Sequence, residues 1–158
     1  MTVYIALGSN VGDRAAHLQA ALTKLAALPA PRVKVRGVSR FARTAPVGAT
    51  GHGWYLNAVA RAETDLLPQV LLGRLRRIEH ALGRRRPAPG RKKTPRRVDL
   101  DLILYGRARI QTPQLTVPHP RFAARRFVLD GLAELAPTLH APGSPLTMAQ
   151  LQARALRR

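Results

Sequence analysis

The chain has 158 residues, of which 46% are hydrophobic and 22% are charged, which is typical of one globular domain with a real core. Its 27 Lys and Arg against 8 Asp and Glu give a formal net charge of +19, which favours polyanionic partners. Because there is no cysteine, disulfides and thiolate metal sites are excluded, and carboxylate and histidine remain as metal ligands.

Two further features concern location and domain organisation. No apolar run is long enough to cross a bilayer, and the first residues lack a basic segment followed by an apolar core. We therefore expect a cytoplasmic protein. No internal repeat or domain boundary is visible, so we expect one domain over residues 1–158.

The first part of the chain predicts a strand, a turn and a helix. Residues 2–7 form an apolar run typical of a buried strand, and residues 8–13 are typical of a turn in which Asn10 or Asp13 caps the helix. Leucines then recur at helical spacing, at Leu18, Leu22, Leu25 and Leu28. The turn lacks the Lys-Ser/Thr pair of a P-loop and the glycine spacing of a dinucleotide fold, which favours a structural turn over a phosphate site.

Residues 33–64 predict two strands around a long loop. Residues 33–41 alternate as a strand, and residues 43–53 are rich in turn formers, as functional loops often are. Residues 54–64 alternate again and place Tyr55 and Asn57 on one face. The Asn57 amide can donate and accept hydrogen bonds, so it could recognise a flat ring or satisfy a neighbouring backbone group. The sequence leaves both interpretations open.

The next segment predicts a helix followed by a basic loop. The helix begins near Pro68 and ends at Gly83, and its apolar stripe is formed by Leu71, Leu75, Ile78 and Leu82. Glu79 lies at the edge of this stripe, where pairing with an arginine is the default and a role in a site is the alternative. Residues 83–97 carry eight basic residues and three prolines without periodicity, which indicates a mobile basic loop.

Residues 98–105 alternate as a strand, with Asp99 and Asp101 on the face opposite Val98, Leu100, Leu102 and Leu104. Side chains two apart on a strand are roughly 6.5–7 Å apart at the backbone. Two ionised carboxylates at this distance repel unless a cation lies between them, and Mg²⁺ often takes one or two carboxylates plus substrate phosphates. The pattern therefore indicates a metal platform facing a basic loop, and an edge strand with a solvated polar face is the alternative.

The last third of the chain predicts two short extended pieces and two helices. Residues 110–112 and 115–117 are extended, and His119 stands between Pro118 and Pro120. Helices are predicted from Arg125 to the residues before Pro137 and over residues 148–156. The order strand-helix-strand-strand-helix-strand is that of a ferredoxin-like α+β sandwich, an antiparallel sheet with helices on one face, here followed by a C-terminal helical extension.

Four motifs resemble one known family. They are YIALGSN at residues 4–10, YLNAV at 55–59, PRRVDLDLILYG at 95–106, and TVPHPR with RRFVL within 116–129. Together they resemble the 6-hydroxymethyl-7,8-dihydropterin pyrophosphokinases of folate biosynthesis. The resemblance implies an ATP-dependent transfer in which the pterin hydroxymethyl oxygen attacks the β-phosphorus and AMP leaves. It also implies two Mg²⁺ ions at Asp99 and Asp101.

The resemblance assigns residues to three groups. The implied ATP-binding residues are Glu79, Arg84, Arg86, Arg96, Leu102, Thr116, His119 and Arg125. The implied pterin-binding residues are Thr44, Val47, Tyr55, Asn57 and Phe127, and Arg96, Asp99 and Asp101 are the implied catalytic residues. The chain departs from the family pattern at Lys93-Thr94, where a Trp-Gly pair is common, and at Ala45, where a proline is common; its basic loop also looks about two residues longer.

The partners expected from this resemblance are ATP and the hydroxymethyl-dihydropterin, with no nucleic acid, no membrane and a monomeric chain. A nucleic-acid-binding module is an alternative suggested by the net charge, but aromatic residues make up only 4% of the chain and no RNA-binding motif is present. Another two-metal nucleotidyl transferase is a third possibility, which does not account for the YLNAV and PHPR motifs.

Overall fold

The computed structural model describes residues 1–29, 33–45, 53–83, 89–90 and 97–158. In chain order, its elements are β1 (Thr2–Ser9), α1 (Arg14–Ala26), β2 (Val33–Val38), β3 (Ala42–Thr44), β4 (Tyr55–Thr64), α2 (Pro68–Ala81), β5 (Asp99–Tyr105), β6 (Ile110–Gln111), β7 (Thr116–Val117), α3 (Arg126–Leu135) and α4 (Met148–Leu156). None of the helices in the described ranges is long and apolar enough to cross a membrane.

A main sheet of antiparallel strands organises the chain. Its order is β2-β4-β1-β5, and β3 also pairs with β4, while β6 and β7 form a separate two-stranded ribbon. The central strands β1 and β4 contribute buried residues to cores on both faces of the sheet, because each is covered on both faces.

Helices cover both faces of this sheet. Because alternate residues of each strand point to opposite sides, each face forms its own core with the helices that cover it. On one face, α1 and α2 bury leucines against β1, β4 and β5; this first core contains Leu18, Leu25, Leu71, Leu75, Ile5, Leu7, Ala60 and Leu102. On the other face, α3 and α4 pack on a smaller second core that contains Tyr4, Ala6, Val59, Ile103, Leu104, Val128, Leu132 and Met148.

Two predicted loop starts are strand in the structure. Gly8 and Ser9, predicted as turn, continue β1 because both pair with β4, and Gly8 also pairs with β5. Ala42–Thr44 forms β3 against β4, although the predicted strand ended at Phe41 and the predicted loop began at Arg43. Propensity suggested turns at these positions, but backbone pairing with neighbouring strands decides them.

The predicted alternation of β5 is confirmed up to Ile103, which shares the face of Asp101, and is wrong at Leu104 and Tyr105. Tyr4 pairs with Leu104 while Ile5 pairs with Leu102, so Ile103 is an extra residue at a β-bulge. As a result, Leu104 joins Ile103 in the second core. Tyr105 turns to the first core, where its hydroxyl donates a 2.6 Å hydrogen bond to the Leu66 carbonyl.

The helix ends confirm most of the predicted boundaries. The Asp13 carboxylate caps α1 by accepting a 3.1 Å hydrogen bond from the Ala16 amide. Helix α2 begins at Pro68 and is followed by Gly83 with a φ of +91°, a conformation that favours glycine. Most of the predicted basic loop, residues 84–88 and 91–96, lies outside the described residues.

Candidate active site

A polar row crosses the sheet at the C-terminal end of β1. Gly8 of β1 pairs with Asn57 of β4 on one side and with Asp99 of β5 on the other. Directly paired residues point to the same face, and strands lie about 4.8 Å apart, so Asn57 and Asp99 are about 10 Å apart at the backbone. Asp101, two residues along β5, pairs with Ala6 of the second core. Both aspartates therefore face the side of the sheet covered by α3 and α4.

Asn57 is buried and held by its neighbours. Asn57 is only 4% exposed, and its Nδ2 donates a 2.7 Å hydrogen bond to the Thr44 hydroxyl. A Cβ atom at Gly8 would lie 3.0 Å from the Asn57 Oδ1, so glycine gives this amide its room. Tyr55 pairs with Thr44 and lies on the same face as Asn57. Within the part of the chain that the structure describes, this leaves the second Nδ2 hydrogen and Oδ1 of Asn57 for a further partner.

Phe127 lies on the same side of the sheet as Tyr55 and Asn57. It is the second residue of α3, half-buried, and packs against the second core. The predicted pterin residues in the described ranges, Thr44, Tyr55, Asn57 and Phe127, are therefore brought to one face. Val47 lies outside the described residues.

Asp101 forms an ion pair with Arg125, the residue that precedes α3. The Arg125 Nη1 donates a 3.0 Å hydrogen bond to the Asp101 Oδ2, and the two side chains are 33% and 40% exposed. A partly exposed pair of this kind contributes about 0–1 kcal/mol. Arg125 can therefore leave Asp101 for a phosphate at little cost in free energy.

His119 lies beside this ion pair. Its backbone amide donates a 2.9 Å hydrogen bond to the Ile103 carbonyl, which fixes the segment after β7 against β5. Burial lowers the pKa of His119, the Asp101 charge partly opposes this, and Arg125 and Arg121 lower it further. The His119 Nδ1 accepts a 3.1 Å hydrogen bond from the Arg121 amide, so the neutral ring carries its proton on Nε2.

Leu102 points to the opposite face of the sheet, and Glu79 of α2 lies at the edge of β5. Glu79 is 6% exposed, and its Oε1 accepts a 2.7 Å hydrogen bond from the Leu100 amide. Leu102 is 3% exposed and part of the first core. Of these two predicted ATP-binding residues, Leu102 therefore points away from the aspartates, whereas Glu79 bonds to the strand backbone between them. Half-buried Thr116 lies on β7, which packs against β5.

The remaining predicted site residues, Arg84, Arg86 and Arg96, lie outside the described residues, as do Lys93 and Thr94. Gly8 was not predicted as a site residue, although a glycine inside an apolar strand often marks a close approach of another group. Arg14 and Arg43, whose guanidinium groups contact the ring of Trp54, were not predicted as functional residues either.

The donor set at Asp99 and Asp101 fits a hard divalent cation. Among the residues that the structure describes, no group of three or more His, Cys, Asp or Glu side chains could hold a metal. A structural zinc site needs such a group, whereas Mg²⁺ is often bound by one or two carboxylates together with substrate phosphates. Two carboxylates on one partly exposed face match the second case.

Comparisons of sequence agree with one another. Residues 4–137 match the family model for 7,8-dihydro-6-hydroxymethylpterin-pyrophosphokinase (HPPK). The chain is 43% identical to the 2-amino-4-hydroxy-6-hydroxymethyldihydropteridine pyrophosphokinase of Methylorubrum extorquens, over 86% of this chain and 83% of that one. It is 44% identical to the enzyme of the same name from Bacillus subtilis, over 84% of this chain and 76% of that one.

The fold is similar to that of solved HPPK-DHPS structures. A crystal structure of Plasmodium falciparum HPPK-DHPS superposes on 99% of this chain with a TM-score of 0.78 and 13% identity. An HPPK-DHPS in complex with substrates gives a TM-score of 0.76 and 10% identity. This chain spans 46% and 43% of those two chains, less than half of their length. The sequence match over most of its residues shows that the chain belongs to the HPPK family.

Proposed function

We propose that the protein transfers the diphosphoryl group of ATP to the hydroxymethyl oxygen of 6-hydroxymethyl-7,8-dihydropterin, giving AMP and the pterin diphosphate. The observation that carries this proposal is the row Asn57–Gly8–Asp99. The row places the buried Asn57 amide, which suits a flat heterocycle, on the same face as the Asp99 and Asp101 carboxylates, which suit metal-bound phosphates. Asn57 and Asp99 are about two strand spacings apart.

The pterin would lie over the Asn57 end of this row. Asn57, held by Thr44, would read the ring edge with its remaining hydrogen and its oxygen. Tyr55 and Phe127 would stack against the ring, and offset aromatic stacking contributes about 0.5–1.5 kcal/mol per pair beyond burial. Val47 is proposed for this pocket from the family resemblance alone.

The nucleotide would lie over the Asp99 and Asp101 end. Arg125 would exchange its contact with Asp101 for a phosphate oxygen, and the Nε2 proton of His119 would be donated to another. We propose that Thr116, together with the polypeptide around Leu102 and Glu79, lines the site of the nucleotide itself. Arg84, Arg86 and Arg96 are proposed as phosphate ligands on the family resemblance, with Arg96 also catalytic.

The reaction needs positioning and charge neutralisation more than covalent help from the protein. The hydroxymethyl oxygen forms a bond to the β-phosphorus, the bond from that phosphorus to the α,β-bridging oxygen breaks, and the hydroxyl proton passes to solvent. Asp99 and Asp101 would hold two Mg²⁺ ions, which neutralise the phosphate charge and make the attacking hydroxyl more acidic. Arg125 and His119 would stabilise the charge that develops on the leaving AMP.

We also propose that residues 1–158 form one domain with a ferredoxin-like sandwich and a C-terminal helical extension. The strand order β2-β4-β1-β5 and the antiparallel pairing support this. In this arrangement, α1 and α2 belong to the sandwich, and α3 and α4 form the extension that borders the proposed site.

The direct test mixes the purified protein with ATP, Mg²⁺ and the hydroxymethyl-dihydropterin, and measures AMP and pterin diphosphate together. We expect the two products in equal amounts, and none of either when Mg²⁺ is removed with a chelator. Release of pyrophosphate instead of AMP would indicate a nucleotidyl transferase and contradict the proposal, as would the absence of any turnover.

A further inference from the structure

Trp54 is the only tryptophan of the chain, and two arginines lie against its ring. The Arg14 Cζ lies 4.1 Å from the ring centroid and the Arg43 Cζ lies 4.0 Å from it. Both distances are well inside the range of a cation–π interaction, which extends to about 6 Å. We call these three residues, Arg14, Arg43 and Trp54, the Trp54 clamp.

Arg14 also fixes the backbone at this point. Its Nε donates a 2.8 Å hydrogen bond to the Trp54 carbonyl and its Nη1 donates a 3.1 Å bond to the Gly12 carbonyl. Arg14 is the first residue of α1, where a positive side chain opposes the helix dipole. Its position therefore does not serve the helix itself. A Cβ atom at Gly53 would lie 2.6 Å from the Arg14 Nη2, so glycine allows this contact.

The clamp joins the two ends of the β3–β4 connection. Arg43 lies in β3 directly before Thr44, and Trp54 lies directly before Tyr55, the first residue of β4. Thr44 and Tyr55 are the last pair of these two strands. One aromatic ring thus holds both strands beside their final pair and ties them to the start of α1.

The clamp contacts the strands from the face opposite the proposed pterin pocket. Arg43 pairs with Leu56, a residue of the first core, and Trp54 packs against the same core. Thr44 and Tyr55 point to the other face, with Asn57. The clamp can therefore act on the pocket only through the backbone, without touching a ligand bound there.

We infer that the Trp54 clamp is a positioning element that fixes the backbone at Thr44 and Tyr55 and thereby sets the affinity for the flat aromatic substrate. The inference rests on the proposed function for the identity of that substrate. Without the clamp, Tyr55 and the Thr44–Asn57 hydrogen bond must be ordered by the ligand itself, and this ordering weakens binding.

The first test compares Trp54→Leu with Trp54→Phe in steady-state kinetics. For Trp54→Leu we expect the KM for the pterin to rise about three- to tenfold, the loss expected from one or two cation–π contacts, with the KM for ATP and kcat within about twofold of wild type. Trp54→Phe, which keeps an aromatic face, should recover part of the loss. Equal pterin KM values in wild type and Trp54→Leu, or parallel rises for both substrates, would overturn the inference.

The second test needs no substrate and so separates the clamp from the proposed function. Trp54→Leu should speed hydrogen exchange at the amides of residues 55–57 relative to those of residues 59–62 on the same strand. In Arg14→Gln and Arg43→Gln, the emission of Trp54 should change. It should stay as in wild type in Arg36→Gln, whose exposed arginine pairs with Glu63 at the other end of the sheet. Unchanged exchange, or unchanged emission in both clamp variants, would refute the clamp even if the enzyme is active.

Discussion

The two faces of the sheet differ in how completely their helices cover them. Under α1 and α2 the first core runs along the whole length of β1, from Val3 to Leu7, and on to Leu56 of β4. Under α3 and α4 the second core ends at Ala6 and Val59, and the next row is Asn57, Gly8 and Asp99. A helical layer that stops short of a strand end leaves polar side chains room to bind a ligand.

A related contrast separates two carboxylates, Glu79 at the edge of β5 and Asp101 on its partly exposed face. Glu79 is buried and accepts a hydrogen bond from the Leu100 amide, which is a structural use of the charge. Asp101 is 40% exposed and bonds to the partly exposed side chain of Arg125. Burial and the nature of the partner therefore separate a carboxylate that supports the strand from one that can receive a cation. Substitutions at these two positions test the difference.

The largest effect is expected from Asp101→Asn. The amide keeps the volume of the side chain but removes the charge that a metal needs, so kcat/KM should fall by at least about 10²-fold, the scale of losing one group that stabilises the transition state. The free energy of unfolding should stay within about 1 kcal/mol of wild type, because the Arg125 pair is partly exposed. AMP formation and urea unfolding measure the two quantities.

Asp130→Asn provides the matched control for this substitution. Asp130 is a half-buried carboxylate on α3 that accepts a hydrogen bond from the Gln152 Nε2 and lies 3.7 Å from the Arg126 Nε. It should retain wild-type kcat/KM. If Asp101→Asn were as active as Asp130→Asn, the carboxylate pair would not be a metal platform.

Glu79→Ala should have a smaller effect, and this effect should be on stability and not on activity. The change leaves the buried Leu100 amide without this acceptor, which costs about 1–3 kcal/mol of unfolding free energy. Glu79→Gln keeps an acceptor oxygen and should lose less. Urea unfolding of both variants gives the values, and the KM for ATP should change little. Intact stability combined with a raised KM for ATP would instead mean that the Glu79 side chain, and not only the polypeptide around it, contacts the nucleotide.

Much of this architecture follows from periodicity. The stripe of α2, the faces of β4 and the bounds of α4 are confirmed because each has a regular pattern with clear end signals, such as Pro68 and Gly83. The bulge at Ile103 is not visible in the sequence, because apolar residues fill positions 102–105 on either register. Strand β3 was not predicted, because a segment of three residues is too short to show a strand pattern and is a strand only through its pairing with β4.

The candidate site was predictable in its residue types but not in its neighbours. Alternation alone placed Asp99 and Asp101 on one face and Asn57 on one face of another strand. The two faces are the same because of strand order and register. These depend on pairs that are distant in the chain, since Gly8 pairs with Asn57, 49 residues away, and with Asp99, 91 residues away. The Trp54 clamp also joins three separate elements, so no local pattern could indicate it.

The smallest effect concerns His119 and the pH dependence of stability. Burial lowers its pKa below the value of about 6.5 expected for the unfolded chain. Above that pH, both states carry a neutral ring and the residue contributes nothing to the pH dependence. As the pH falls below about 6.5, the unfolded chain takes up the proton first, so the unfolding free energy decreases until the folded state is also protonated.

His119→Asn should remove this part of the pH dependence, while His80→Asn, on the exposed side of α2, should keep it. Urea unfolding between about pH 7.5 and 5, without metal or nucleotide, gives the difference between wild type and each variant. For His119→Asn, the stability advantage of wild type should shrink as the pH falls. A constant or growing advantage would mean that His119 is not held neutral on this face of the sheet.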